Sequence, residues 1–255
     1  ILRQQDKNRI MKFIDTHTHL YDEAFYENIS QFVDEAQAAG VQEMYLPNCD
    51  STTIPAMMDI VALHPEALKP MMGIHPCYIK ENYKEELAIA EAWLNQYDFA
   101  AVGEIGLDYY WDKTFVAEQM EAFNIQMQWA KEKELPIIIH TRDSIDDGIA
   151  MVKAQQNGNL KGIFHCFGGT IEQAKAIIDL GFHLGIGGVV TFKNSQLDQV
   201  LAAIPLEHIV LETDAPYLAP VPYRGKRNES KYIPYIAEKL VTIYQSTLEE
   251  VAQIT

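Results

Sequence analysis

The chain has 255 residues, 48% of them hydrophobic, and carries a formal net charge of -16. That length can bury one large core, so a single domain is expected, and no apolar run nears the roughly 20 residues that a membrane-spanning helix needs. So acidic a chain is excluded from wrapping nucleic acid by charge, since that mode needs a basic face; an enzyme that draws one chain end into a cation-filled pocket is not excluded.

Ile1 to Ile10 reads as an irregular leader, and the domain is expected to run from Met11 to Thr255. No secretion-type segment precedes Met11, and Cys49, Cys77 and Cys166 are odd in number and far apart. Both features predict a cytoplasmic protein with buried reduced thiols rather than a disulfide framework.

Along the chain, β-type runs alternate with helical patterns. Strands are expected at Phe13 to Thr16, Glu43 to Pro47, Lys69 to Ile74, Phe99 to Ile105, Pro136 to His140, Gly162 to Phe167, Phe182 to Ile186 and His208 to Thr213. The intervening segments carry 3.6-residue periodicity and helix punctuation. Ile29, Phe32, Val33 and Ala36 share a helix face that stops at Gly40; Ser144 is placed to cap a helix running toward Gly158; Thr170 and Gln173 form a capping box ahead of a helix ending at Gly181; Thr247 and Glu250 open a last helix. Eight such cycles match a closed (β/α)8 TIM barrel. An open doubly wound sheet would want a glycine-rich phosphate loop after its first strand, where this chain has His17-Thr18-His19.

Catalytic groups of a TIM barrel sit at the carboxyl ends of its strands. His17 and His19, two apart on strand one, share a face and can grip one ion. Glu104, His140, His165 and Asp214 are expected at the ends of strands four, five, six and eight, so all six meet at one mouth. His75 follows strand three and is expected to contact substrate or support a ligand. His64, His183 and His208 fail the positional test and read as structural or exposed. Cys166 is expected to point away from His165 by strand alternation. Four imidazoles and two carboxylates exceed the needs of one four-coordinate ion, which points to two divalent metals bridged by a carboxylate, best supplied by Glu104, with Asp214 as proton acceptor. Glu212 is expected to orient a ligand histidine, and Asp15 to need a buried partner. Zinc, manganese or magnesium suits this donor set.

The ordered motifs Phe13-Ile14-Asp15-Thr16-His17-Thr18-His19-Leu20, Gly73-Ile74-His75-Pro76, Gly103-Glu104-Ile105-Gly106-Leu107-Asp108-Tyr109, His140-Thr141-Arg142, His165-Cys166-Phe167 and Leu211-Glu212-Thr213-Asp214-Ala215-Pro216 closely resemble the TatD-type metal-dependent deoxyribonucleases of the amidohydrolase-like superfamily. The resemblance spans Met11 to the end. It implies one metal on His17, His19 and Asp214, a second on His140 and His165, and Glu104 between them. It also implies phosphodiester hydrolysis from a 3' end of single-stranded DNA; separately, no membrane and no obligate protein partner are expected. Family members continue Asn-Glu-Pro where this chain has Asn228-Glu229-Ser230, and loss of that proline is expected to loosen the turn.

Arg224, Lys226 and Arg227 form the densest basic cluster and follow strand eight, where barrels often bind phosphate, so a substrate role is expected there and at Arg142. Tyr109, Tyr110, Trp111 and Phe192 follow strands four and seven and can stack on bases or simply pack. The competing chemistry is an amidohydrolase or esterase that turns the same activated water on a carbonyl, and a barrel that binds metal without turnover is a third reading.

Overall fold

The computed structural model describes residues 11–255; the leader read at 1–10 lies outside the described residues. Eight strands among these residues alternate with helices: β1 (Phe13–Asp15), β2 (Val41–Pro47), β3 (Leu68–Met71), β4 (Val102–Asp108), β5 (Ile137–Arg142), β6 (Gly162–Phe164), β7 (Phe182–Ile186) and β8 (Ile209–Leu211). All neighbours pair in parallel, within one run from β1 to β3 and another from β4 to β8. Two seams join the runs into a closed barrel. Met72 bridges Val102 between β3 and β4, while Thr18 bridges Ala215 and the Thr16 amide donates to Leu211 O between β1 and β8. The expected TIM barrel is thus the fold.

The helices α1 (Ile29–Ala38), α2 (Ile54–Leu63), α3 (Tyr83–Gln96), α4 (Val116–Lys133), α5 (Ile145–Gln155), α6 (Ile171–Asp179), α7 (Leu197–Leu201), α8 (Ile233–Tyr244) and α9 (Leu248–Ile254) include those the punctuation anticipates. The Thr170–Gln173 capping box is present in full, and the Thr247 side chain accepts from the Glu250 amide. Ser144 stands before α5 but does not cap it: its hydroxyl donates to Leu107 O at 2.7 Å, tying β5 to β4, and the helix stops at Gln155, short of Gly158. None of the described helices is long and apolar enough to cross a membrane.

Several strand limits differ from expectation, and two of the differences move functional residues. β4 starts later than the apolar run suggests and continues through Gly106 to Asp108, so Glu104 lies inside the strand rather than at its end. Gly106 permits this by adopting φ +139°, since a Cβ there would fall 2.1 Å from His140 O. β6 ends at Phe164, which puts His165 and Cys166 in a turn where alternation no longer applies. β3 also ends early, at Met71, and β8 is shorter than expected at both ends.

A second device positions the mouth. Gln119 and Gln126 lie seven apart on one buried face of α4, and each side chain clamps a backbone amide and carbonyl. Gln126 holds both groups of Ile74, just before His75, and Gln119 holds both groups of Asp108. Strand ends that would otherwise leave buried backbone groups unpaired are satisfied by one helix.

Candidate metal centre

Glu104 sits at the centre of the mouth, 2% exposed, and its two oxygens face different imidazoles. Oε2 is 3.1 Å from His17 Nε2 and 3.8 Å from His19 Nε2. Oε1 is 2.9 Å from His140 Nδ1, 3.5 Å from His75 Nε2 and 3.7 Å from His165 Nε2. Asp214 closes the first group, with Oδ1 3.4 Å from His19 Nε2 and 3.8 Å from His17 Nε2. The six residues expected to meet do meet, with His75 beside them.

The donors fit a cation better than they fit one another. His17 Nε2 and His19 Nε2 approach to 3.3 Å, although two lone pairs so placed repel unless a proton or a metal lies between or beside them. His17 Nδ1 and Glu212 Oε2 are buried without any hydrogen-bond partner. One donor atom from each of His17, His19 and Glu104 lies within 4.8 Å of the others, as do atoms of His75, Glu104 and His140, and of His17, His165 and Asp214. Such sets, sharing Glu104 and His17, are the arrangement in which one carboxylate can serve two neighbouring cations.

Without an ion, protons must do this work. Burial alone would raise the Glu104 carboxyl, but His17, His75, His165 and His140 hold it well below its usual range. Asp214 is similarly raised by burial and lowered more by His19, His165 and His17, so it is ionised at neutral pH. His140 has a carboxylate on each nitrogen, with Asp108 Oδ2 2.9 Å from Nε2, and only a doubly protonated ring satisfies both; its pKa is raised accordingly. His75 goes the other way, to about 3, because burial outweighs Glu104.

Behind the donors lies a set of partners. His165 Nδ1 lies 3.1 Å from Glu212 Oε1 as a charge contact rather than a hydrogen bond, and the same oxygen accepts from the Cys166 amide at 2.6 Å, which fixes Glu212. Gly185 makes room for it, since a Cβ there would fall 2.2 Å from Glu212 Oε2. Asp15, pushed up to about 7 by burial, accepts from the Thr213 amide and hydroxyl and from the His17 amide, so it fastens β1 to the segment carrying Asp214. Asn228 Nδ2 donates to Thr213 O at 2.7 Å and braces the same segment from the far side.

Asp108 is the main residue that the sequence reading leaves without a role. Its Oδ2 holds His140, and its Oδ1 accepts from the amides of Tyr110 and Trp111, linking the donors to the rim. The signal was available: 104, 106 and 108 share strand parity, so Asp108 points where Glu104 points.

Two expectations about cysteine need correction. All three thiols are free but half-buried rather than buried. Cys166 also does not point away from His165, because the strand has ended and Cys166 takes φ +48°; its sulfur lies with His165 and Glu212. Burial, reinforced by Asp214 and Glu212, pushes that thiol well above its usual value and keeps it protonated, unlike a metal-bound thiolate.

Above the donors a cavity of about 650 Å³ opens to solvent, rimmed by Tyr78, Trp111, Tyr217 and Leu218, with Arg142 the one arginine or lysine among the described residues that line it. The Arg142 guanidinium stacks 3.9 Å over the Tyr110 ring and 5.2 Å from Trp111. The basic loop does not line this cavity. Arg224 stacks on Phe192 at 4.0 Å, Arg227 donates to Ala24 O and Glu229 above Phe25 and Phe32, and Lys226 is exposed. Asn228, Glu229 and Ser230 are all buried, and Ser230, which stands in place of the family's proline, begins a 3-10 turn. Tyr109 donates to Asp147 at the periphery. His64 pairs with Ser30 at the end of α2, and His183 and His208 face each other at the opposite end of the barrel, as their positions in the chain predict.

A family profile described as TatD related DNase matches residues 14–255. The chain is 37% identical over 242 residues to YabD of Bacillus subtilis strain 168, an uncharacterized metal-dependent hydrolase, covering 94% of each chain. It is 34% identical over 254 residues to YcfH of Escherichia coli K12, which bears the same description, covering 96% of this chain and 93% of that one. Among solved structures it superposes on YJJV, a TatD homolog from Escherichia coli K12, with a TM-score of 0.89 and 27% identity over 96% of this chain and 95% of that one.

Proposed function

The chain belongs to the TatD-related DNase family of metal-dependent hydrolases, and from that premise we propose that it is a deoxyribonuclease that cleaves phosphodiesters from the 3' end of single-stranded DNA. The observation that carries this reading is the divided Glu104 carboxylate, with one oxygen toward His17 and His19 and the other toward His140 and His165, at the floor of a cavity of about 650 Å³. That volume lies within the range of small-ligand pockets and suits a chain end better than a duplex. Exposed rings at the rim offer stacking faces to unpaired bases, and Arg142 offers a guanidinium to a phosphate.

His17, His19 and Asp214 would hold one divalent ion and His140 and His165 another, with Glu104 between them. When bound, such ions supply Lewis acidity and lower the pKa of water toward neutrality. Asp214, ionised and partly open to the cavity, accepts the proton released by the attacking water. Glu212 meets the His165 ring by charge, Asp108 fixes His140, and His75 lines the cavity wall, where it can meet a substrate oxygen. Zinc, manganese and magnesium all suit this mixed nitrogen and oxygen set.

One observation favours a second reading, hydrolysis of a small ester or amide: Arg224, Lys226 and Arg227 do not line the cavity, so among the described residues Arg142 is the one arginine or lysine there to meet a polyanion. End-labelled single-stranded DNA and a panel of acyl esters separate the two. The nuclease reading expects stepwise shortening of the 5'-labelled strand that stops with chelator and with Glu104→Gln. Turnover of acyl substrates with intact DNA transfers the site to the second reading, and DNA cleavage indifferent to both treatments removes the metal mechanism.

A further inference from the structure

We infer that Tyr21 is a positioning residue that decides which nitrogen of His19 is offered to a cation. Tyr21 lies two residues beyond His19, buried, with its ring edge-on to the imidazole at 5.7 Å. Its hydroxyl has a single hydrogen, and it donates that hydrogen to Pro47 O at 2.6 Å. A carbonyl oxygen cannot donate, so the direction of this bond is fixed. The hydroxyl oxygen keeps only acceptor capacity, and His19 Nδ1, 2.9 Å away, must supply a proton to it. Cys49 Sγ lies 3.2 Å from the same oxygen and 3.9 Å from His19 Nδ1, so the Tyr21 oxygen is the nearer partner of that nitrogen by 1.0 Å.

The consequence falls on the other side of the ring. With Nδ1 protonated, the lone pair of neutral His19 resides on Nε2, the atom 3.4 Å from Asp214 Oδ1 and 3.3 Å from His17 Nε2. The anchor is a strand backbone rather than a mobile side chain, because Pro47 closes β2, which pairs with β1 through Asp15 and Met44. His17 has nothing equivalent: its Nδ1 is unpartnered, and its ring is set by stacking on His165 with centroids 3.5 Å apart. Of the two histidines in the His17-Thr18-His19 pair, only His19 therefore has a tautomer imposed from outside the site. Histidines that ligate metals commonly donate their second N–H to an oxygen, and loss of that partner weakens metal binding by about 10–100-fold.

This inference rests on the reading of the cluster as a metal site and is independent of whether DNA is the substrate. The test titrates Zn²⁺ alone into ion-stripped protein in competition with a chromophoric chelator, for the wild type and for Tyr21→Phe, and reads the protonated nitrogen of His19 by nitrogen-correlated NMR on the zinc-loaded wild type. The expected result is a proton on Nδ1 in the wild type and about 10–100-fold weaker zinc binding in a variant that still melts cooperatively. Equal zinc affinity in the two proteins, or a wild-type His19 protonated on Nε2, overturns the role of Tyr21 while leaving the metal site standing. A lower melting temperature with unchanged zinc affinity marks Tyr21 as merely structural and has the same force. A wild type that takes up no zinc, manganese or magnesium removes the metal reading itself, and the inference with it. The NMR measurement needs no variant, so the inference stays open to refutation if Tyr21→Phe does not fold.

Discussion

The barrel carries histidines at both ends, in opposite settings. At the mouth, His17, His19, His75, His140 and His165 crowd round the buried Glu104; at the other end, His183 is exposed and faces the half-buried His208 at 6.4 Å. Residue type does not separate these sets; position on a parallel strand does. Carboxyl ends of strands converge on loops that can be built around a ligand, whereas amino ends meet short connections that only close the fold. Burying several charges costs several kcal/mol per ion unless they are paired, so the mouth carries a penalty that the opposite end does not. A bound cation offsets that penalty.

The largest test of this contrast is catalytic. Asp214→Asn keeps the size of the side chain but removes its charge, and should lower the hydrolytic rate by about 10²–10⁴-fold, the usual contribution of a placed proton acceptor. His183→Gln and His208→Gln should leave the rate within about twofold of wild type, as surface substitutions away from a site do. A comparable loss from either end would dissolve the distinction.

Ion binding comes next. A stripped sample given a divalent ion at about a hundred times its dissociation constant should gain about 2.7 kcal/mol, or roughly 5–10 °C of melting temperature in a chain of this size. The gain should vanish in Glu104→Ala and persist in His208→Gln. Melting curves with and without Zn²⁺ decide it, and an equal gain in Glu104→Ala would place the ion elsewhere.

The rim should yield a smaller effect. Stacking of a base on an aromatic ring contributes about 1–3 kcal/mol, so Trp111→Ala should raise the KM for a single-stranded oligonucleotide by roughly 5–150-fold with little change in kcat. Trp111 is 68% exposed, so its removal costs the fold little. A fall in kcat with KM unchanged would assign Trp111 to the chemistry instead of to binding.

How far the primary structure reveals all this depends on which physical rule governs each residue. Alternation of period two and 3.6 exposes the strand and helix cycle, and so the barrel, because every element must bury one face. The metal-type residues are readable for the same reason: His17, His19, Glu104, His140, His165 and Asp214 recur where strands end. Periodicity fails once the backbone leaves a repeating conformation. Gly106 carries β4 onward at φ +139° beyond the end of its apolar run, so Asp108 is found only by extending the parity of Glu104; Cys166 and Asp214 take positive φ, so their directions cannot be read from parity. Ser144, which looks like a cap, bonds across to Leu107. Tyr21 acts through Pro47, 26 residues away, and only the folded chain brings them together. Arg227 reads as a phosphate clamp in the sequence, and in the folded chain it donates to Ala24 O and Glu229.

The smallest effect is a difference in sign between His165 at the mouth and His183 at the opposite end. Burial alone would depress the His165 imidazole, yet the carboxylates of Glu212, Glu104 and Asp214 push it up to about 9. A folded pKa above the unfolded value of about 6.5 gives stability that is fully present below 6.5 and is lost as pH rises through 9. Asp15, raised to about 7 by burial, has the same sign in an earlier window, its contribution present below about 3.8 and already gone by about pH 7. His183 is lowered, first by burial and then by His208, so its contribution is present above about 6.5 and fades as pH falls below it. Ion-free protein should accordingly lose melting temperature between pH 6.5 and 9 through the mouth, and below pH 6.5 part of its loss should come from the opposite end. His183→Gln should remove only that second part, while Zn²⁺, by replacing protons on the mouth imidazoles, should flatten only the first. Thermal unfolding of wild type and His183→Gln from pH 5 to 9, with and without Zn²⁺, resolves the two limbs, and a variant that altered the alkaline limb would mean that the ends of the barrel are electrostatically coupled after all.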